Sequence, residues 1–130
     1  MRKVYHGATE KITSPLVNVG RDNLDFGKGF YVTDLRKQAK TWAEIKSKYY
    51  LDAPSVINEY LFDFDNAKAE YRYKRFEKYD SEWLHFIVDS RDGIKVWKKY
   101  DINPHFREFF YHIVIHRSEE HTSELQSLAY

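Results

Sequence analysis

Two short segments near the N-terminus hold the residues whose types and spacing suit chemistry. Tyr5-His6-Gly7 ends a short apolar stretch with an imidazole and a residue that has no Cβ. Leu24-Asp25-Phe26-Gly27-Lys28-Gly29-Phe30-Tyr31-Val32-Thr33-Asp34 is a glycine-punctuated loop that runs into a strand carrying a tyrosine. Trp42 follows on the apolar face of the next helix. An imidazole is a directional donor, glycines let a backbone approach a ligand closely, and Tyr31 and Trp42 supply flat walls. Together they are the parts of a slot for a planar ring. Each piece alone has a plainer reading: His6 as a structural histidine, Trp42 as core, Gly27-Lys28-Gly29 as a tight turn. Lys28 puts a cation where phosphates would lie. The loop is neither a P-loop, because G-x-x-x-x-G-K-[ST] is absent, nor a dinucleotide fingerprint, because the order strand, loop, strand is wrong for one.

The periodicity predicts the elements that must position these residues. Lys3 to His6 reads as a first strand. The long connection from Gly7 to Gly29 carries Pro15 and Gly20, and connections of that length are usually functional. Phe30 to Thr33 reads as a second strand, and Thr33 or Asp34 is placed to cap a helix. In that helix Leu35, Ala39, Trp42, Ile45 or Lys46, and Tyr49 recur at spacings of three and four, with Lys37, Lys40, Glu44 and Lys48 opposite. The helix ends at Asp52 to Pro54. Val56 to Phe64, apolar on both faces, predicts a central strand, and Ala69 to Phe76 another. A second helix starts at Asp80 or Ser81, with Trp83, Leu84, Ile87 and Arg91 on one face and Gly93 closing it. Ile94 to Tyr100 reads either way, Pro104 to Phe109 predicts a helical turn, and His112 to Ile115 a strand. Strands and helices mix without βαβ regularity, which predicts an α+β fold.

Arg117 to Tyr130 breaks this pattern. It shows neither helical nor strand periodicity, and Arg117 to Ser127 reverse-translates, codon for codon, into something resembling a common short-read sequencing adapter. The expectation is one domain over residues 1–116 and a non-native tail over 117–130. The 130-residue chain has 21 Lys+Arg and 20 Asp+Glu, a formal charge of +1. The tail holds one of those basic and three of those acidic residues, so residues 1–116 carry about +3. That is not the charge of a dedicated DNA binder. There is no cysteine, which excludes disulfides and thiolate chemistry. No apolar run reaches membrane-spanning length, and no h-region follows Met1-Arg2-Lys3; a cytoplasmic, bacterial-type protein is the expectation.

Tyr-His-Gly, then Phe-Gly-Lys-Gly-Phe-Tyr-Val-Thr-Asp, then an Ala-x-x-Trp helix resembles the NAD-binding half of the diphtheria-toxin and poly(ADP-ribose) polymerase class of ADP-ribosyltransferases. Closer still, the chain resembles a bacterial family catalogued as domain of unknown function 3990. That family carries the Leu-Asp-Phe-Gly-x-Gly-Phe-Tyr segment and a Gln-Ala-x-x-Trp-Ala helix, here Gln38 to Ala43. The resemblance covers residues 3 to about 115. It implies an ADP-ribosyltransferase-like fold of mixed sheets with flanking helices, incomplete at its C-terminus, and NAD as substrate without a metal. By resemblance, His6 holds the nicotinamide-ribose hydroxyl and Gly7 binds the carboxamide through its backbone. Tyr31 packs on the nicotinamide side, and Trp42 is a second stacking aromatic. Lys28 and Gly29 lie in the loop near the cofactor, and Arg21 and Asp25 contact phosphate or ribose. His6 and Tyr31 are the catalytic pair. The class's third catalytic residue, a glutamate, is expected beyond His116, so this chain is expected to bind NAD weakly and to transfer poorly. The resemblance also implies an unknown protein or nucleic-acid acceptor, and an antitoxin or neighbouring partner in the parent system. The alternatives are a non-catalytic NAD or nucleotide-binding module of the same fold and a protein-interaction domain with a tyrosine-rich surface.

Three other groupings have bland readings. His112 and His116 share a strand face but lack a third metal ligand. Asp63 and Asp65 read as a solvated strand face. Tyr71-Arg72-Tyr73-Lys74-Arg75-Phe76 interleaves rings and cations as single-strand nucleic-acid platforms do, though a surface strand explains it as well.

Overall fold

The computed structural model describes residues 2–12, 26–107 and 109–116. Strand β1 (Arg2–Ala8) is followed by β2 (Phe30–Thr33), helix α1 (Arg36–Tyr49), β3 (Val56–Phe62), α2 (Phe64–Glu70) and α3 (Ser81–Arg91). A 3-10 turn at Val96–Lys99 then leads to β4 (Ile102–Arg107) and β5 (Phe110–Ile115). The described strands make one five-stranded sheet in the order β3-β1-β2-β5-β4, with every neighbouring pair antiparallel. The class is α+β; one antiparallel sheet stands where mixed sheets are expected from the sequence.

The two-residue period of the strands divides the core in two. Val4, Phe30, Val32, Tyr60, Phe62, Ile113 and Ile115 project to one face, where Ala67 of α2 and the half-buried Phe64, Tyr71 and Tyr73 cover them. Val114 projects to the other face and packs with Phe26, Phe76, Phe86 and Ile87. α1 lies on that second face over β1, with Ala39 and Ala43 buried.

Several sequence expectations change for identifiable reasons. β3 is not central but lies at one end of the described sheet. Its apolar character is explained by what crosses it. Asn58 Oδ1 accepts from Ile12 N at 2.8 Å, Asn58 Nδ2 donates to Glu10 O at 3.1 Å, and Tyr60 Oη donates to Ile12 O at 2.7 Å. Residues 69–76 are not a strand. Asp63 caps α2 by accepting from Asn66 N at 3.1 Å, so Asp63 and Asp65 belong to a helix start. The following segment only bridges β4, at Tyr73–Ile102 and Phe76–His105. Its cations are paired, Arg72 with Asp101 at 2.9 Å, Lys74 with Glu82 at 2.8 Å and Arg75 with Glu77 at 3.1 Å.

The helical turn expected at Pro104 is strand β4 instead. Phe76 N donates to Pro104 O at 2.8 Å, so the proline faces the sparsely bridged side, where its missing N–H costs least. Neither Thr33 nor Asp34 is the N-cap of α1. Leu35 holds that position without a side-chain bond, because Thr33 Oγ1 accepts from Leu35 N and Asp34 Oδ1 from Tyr111 N. α3 starts as expected, with Asp80 accepting from Trp83 N at 2.9 Å. Its buried face is Phe86, Ile87 and Ser90, and Leu84 is exposed.

Candidate functional site

β1 and β2 meet at a single pair, Tyr5 opposite Thr33. On its other side β1 is paired to β3 along its whole length, from Arg2 opposite Phe62 to Ala8 opposite Val56. Two residues further along the β1–β2 register, Gly7 would face Tyr31. Side chains replace that pair. The His6 imidazole places Nδ1 2.6 Å from Tyr31 O, and Lys46 Nζ of α1 donates to Gly7 O at 2.8 Å. The strands therefore part after Tyr5 into a fork. In an antiparallel strand the N–H and C=O of one residue point to the same side, so Gly7 presents both toward this fork. A carbonyl only accepts, which assigns the His6 proton to Nδ1 and leaves Nε2 as an acceptor.

Three glycines let the elements around the fork pack closely. A Cβ on Gly7 would lie 2.1 Å from Ala39 O and 2.7 Å from Ala43 N, so glycine is what lets α1 rest directly on β1. Gly27 has φ +81°, and a Cβ there would meet Trp97 Cδ1 at 2.2 Å. Gly29 passes the end of β5, where a Cβ would sit 2.8 Å from Ile115 O. Lys28 O accepts from His116 Nδ1 at 2.7 Å, and Tyr31 Oη donates to Gly27 O at 2.5 Å, so the loop is tied to β5 and to its own tyrosine.

Burial lowers the His6 pKa to about 4, opposed by its bond to Tyr31 and assisted by the nearby Lys46 charge. The ring is neutral at pH 7 and its Nε2 is available to accept. Burial also lowers the pKa of Lys46.

The profile of a family described as Protein of unknown function (DUF3990) matches residues 2–104, a span that holds every side of the fork. The chain belongs to this family. No curated protein and no solved structure matches it.

In this DUF3990 member the residues singled out from the sequence fall into two groups. His6, Gly7 and the Tyr31 backbone border the fork. The His6 ring itself stacks on Phe30 at 4.3 Å, on the face of the first core cluster. The Tyr31 ring lies on the opposite face, stacked with Phe26 at 6.1 Å. Trp42 is on that same face, over His112 at 4.7 Å. Phe26 and His112 are themselves 5.7 Å apart, so the two predicted walls are linked through an intervening ring pair. Lys28 and Gly29 belong to the loop bound to β5. Arg21 and Asp25 lie outside the described residues, as do Arg117 to Tyr130.

Lys46 is the fork residue whose role the sequence hid. Its signal was a cation on the apolar stripe one turn after Trp42, a position shared in the periodicity with Ile45. The structure resolves that ambiguity: Ile45 is 61% exposed, and Lys46 is the residue that turns inward. His105 is a further buried histidine, stacked on Phe26 at 4.0 Å and directly paired with His112. Asn103 Nδ2 donates to Lys74 O at 2.6 Å, so Asn103 Oδ1, 2.8 Å from His105 Nε2, accepts from it. Among the described residues no group of three or more His, Asp or Glu is arranged to hold a metal ion, and no helix is long and apolar enough to cross a membrane.

Proposed function

We propose that this domain binds NAD at the β1–β2 fork, with the nicotinamide amide on the Gly7 backbone and a ribose hydroxyl on His6. The observation that carries the reading is the broken strand pair. Gly7 and Tyr31 would face each other in a continuous ladder, yet both carbonyls are met by side chains, His6 on Tyr31 O and Lys46 on Gly7 O, and the Lys46 bond is one a ligand can displace. Gly7 offers a donor and an acceptor side by side, the complement of a primary amide. His6 Nε2 accepts, which suits a hydroxyl donor. The histidine thus acts toward the ligand as an acceptor, whereas its donor nitrogen serves the protein.

The chemistry consistent with such a site is cleavage of the nicotinamide–ribose bond and transfer of ADP-ribose to a protein or nucleic-acid acceptor. That reaction passes through an oxocarbenium-like state, whose stabilisation needs an oriented ribose and a negative charge facing the developing cation. The fork supplies orientation. No described residue is assigned the charge, so binding is the step the geometry supports.

Calorimetric titration tests the reading. NAD is expected to bind the wild-type chain, and His6→Ala to weaken it by about tenfold, the worth of one hydrogen bond. Equal affinity in the two proteins would contradict the assignment. A second reading, a protein-interaction domain, is favoured by the exposed apolar end of α1, where Ile45, Tyr49, Tyr50 and Leu51 are 61%, 79%, 62% and 94% exposed. It would gain if NAD failed to bind while the protein self-associated with rising concentration.

A further inference from the structure

We infer that Lys46 is a built-in competitor for the proposed site: its ammonium holds the Gly7 carbonyl in the empty protein and must yield it to a ligand amide. This rests on the reading of the fork as an NAD site and adds a residue that selects among ligands. Gly7 O is the acceptor a primary amide would use, and Lys46 Nζ lies 2.8 Å from it. The helix that carries Lys46 rests its backbone directly on Gly7 at Ala39 O and Ala43 N, with no space for even one added carbon, and lifting it would break that packing. The Lys46 side chain, four methylenes long and rotatable, changes position without disturbing that contact.

The direction of selection follows from charge. A displaced ammonium needs a new partner, and half-burial makes an unpartnered one costly. NAD carries two phosphates and so brings an anionic partner with it. Free nicotinamide brings none. Lys46 therefore favours amide ligands that also bear phosphate, and discriminates against the bare amide. Removing the ammonium frees the carbonyl for both ligands but removes the partner that only NAD can use.

The test compares nicotinamide, NAD and ADP-ribose, which has the phosphates but no amide, against wild type, Lys46→Met and Lys46→Arg. Lys46→Met is expected to bind nicotinamide about tenfold more tightly than wild type, to show no gain for ADP-ribose, and to lose part of its preference for NAD. Lys46→Arg keeps a donor and a charge and should stay close to wild type. If wild type binds NAD but Lys46→Met gains nothing for nicotinamide, the competitor role is overturned and the site stands. If none of the three proteins binds NAD or nicotinamide, the site and the competitor fall together. If Lys46→Met fails to fold, wild-type protein labelled at the lysine ε-carbon decides. The Lys46 resonance must move when nicotinamide is added, and an unchanged resonance at saturation refutes displacement.

Discussion

Gly7 sits where one hydrogen atom separates packing from collision. The Cβ of an alanine would approach Ala39 O to 2.1 Å, against backbone that has no rotamer to escape into. Either α1 lifts from β1 or β1 bends away, and both break buried contacts. Gly7→Ala is expected to cost about 3 kcal/mol, at the upper end for overpacking, measured as a shift in the urea midpoint. An unchanged midpoint would mean that α1 does not rest on β1. This residue was legible in the sequence only as half of a ligand-binding dipeptide; its packing role could not be read there, since the helix it touches begins almost thirty residues later. His6 was legible as a hydrogen-bonding group. Which nitrogen serves the protein was not, because that depends on the carbonyl of Tyr31 across the fork. Lys46 was hidden for a related reason: periodicity placed it beside Ile45 on one stripe, and only the exact seat of α1 on β1 decides which of the two turns inward.

At the scale of elements, β2, α1, α3 and the existence of β3 follow from local pattern and turn chemistry, while the end position of β3, strand β4 and the 71–76 segment do not. α3 carries both of its signals, an aspartate cap and Gly93 at φ +80°. Asp80→Ala is expected to remove about 1 kcal/mol by leaving Trp83 N without its partner, read from thermal or urea unfolding; a change within error would show that the cap is not used. α1 ends differently. Leu51 and Asp52 take φ of 57° and 61°, a region that disfavours residues with a Cβ. Leu51 is also 94% exposed, so its side chain contributes little in return. Leu51→Gly is expected to stabilise by about 0.5–1 kcal/mol; destabilisation would show that Leu51 is needed where it lies. β4 escaped the sequence reading because proline argues against a strand, and the exception for an edge position appears only once the neighbours are known. β3 read as central because burial by a crossing segment and burial between strands leave the same apolar composition.

For the whole molecule, the decisive property is a sheet whose two covered faces contain neutral histidines. Burial is the largest cause of the shift in each case, lowering His6 and His116 to about 4 and His105 to about 2. Unfolded, these side chains titrate near 6.5. As pH falls from about 6.5 toward 4 the unfolded chain takes up protons that the folded one refuses, so stability is present above 6.5 and lost on acidification. Each histidine contributes a slope of about 1.4 kcal/mol per pH unit within that window. Urea unfolding at pH 7, 6 and 5 should show the loss before most carboxylates titrate, and His105→Gln should reduce its steepness; a flat profile would contradict neutral burial. The α+β class and the existence of the β1–β2 region were legible in composition and motif. The single antiparallel sheet of the described strands was not, since strand order depends on pairings between distant segments. The central claim is that a nicotinamide ligand occupies the β1–β2 fork, and its most direct test is an NMR titration of backbone-labelled wild-type protein with NAD. The amides of Gly7 and Tyr31 are expected to shift first and furthest, with those of α3 unmoved. Saturable shifts confined to other elements, or no shifts at millimolar ligand, would contradict it.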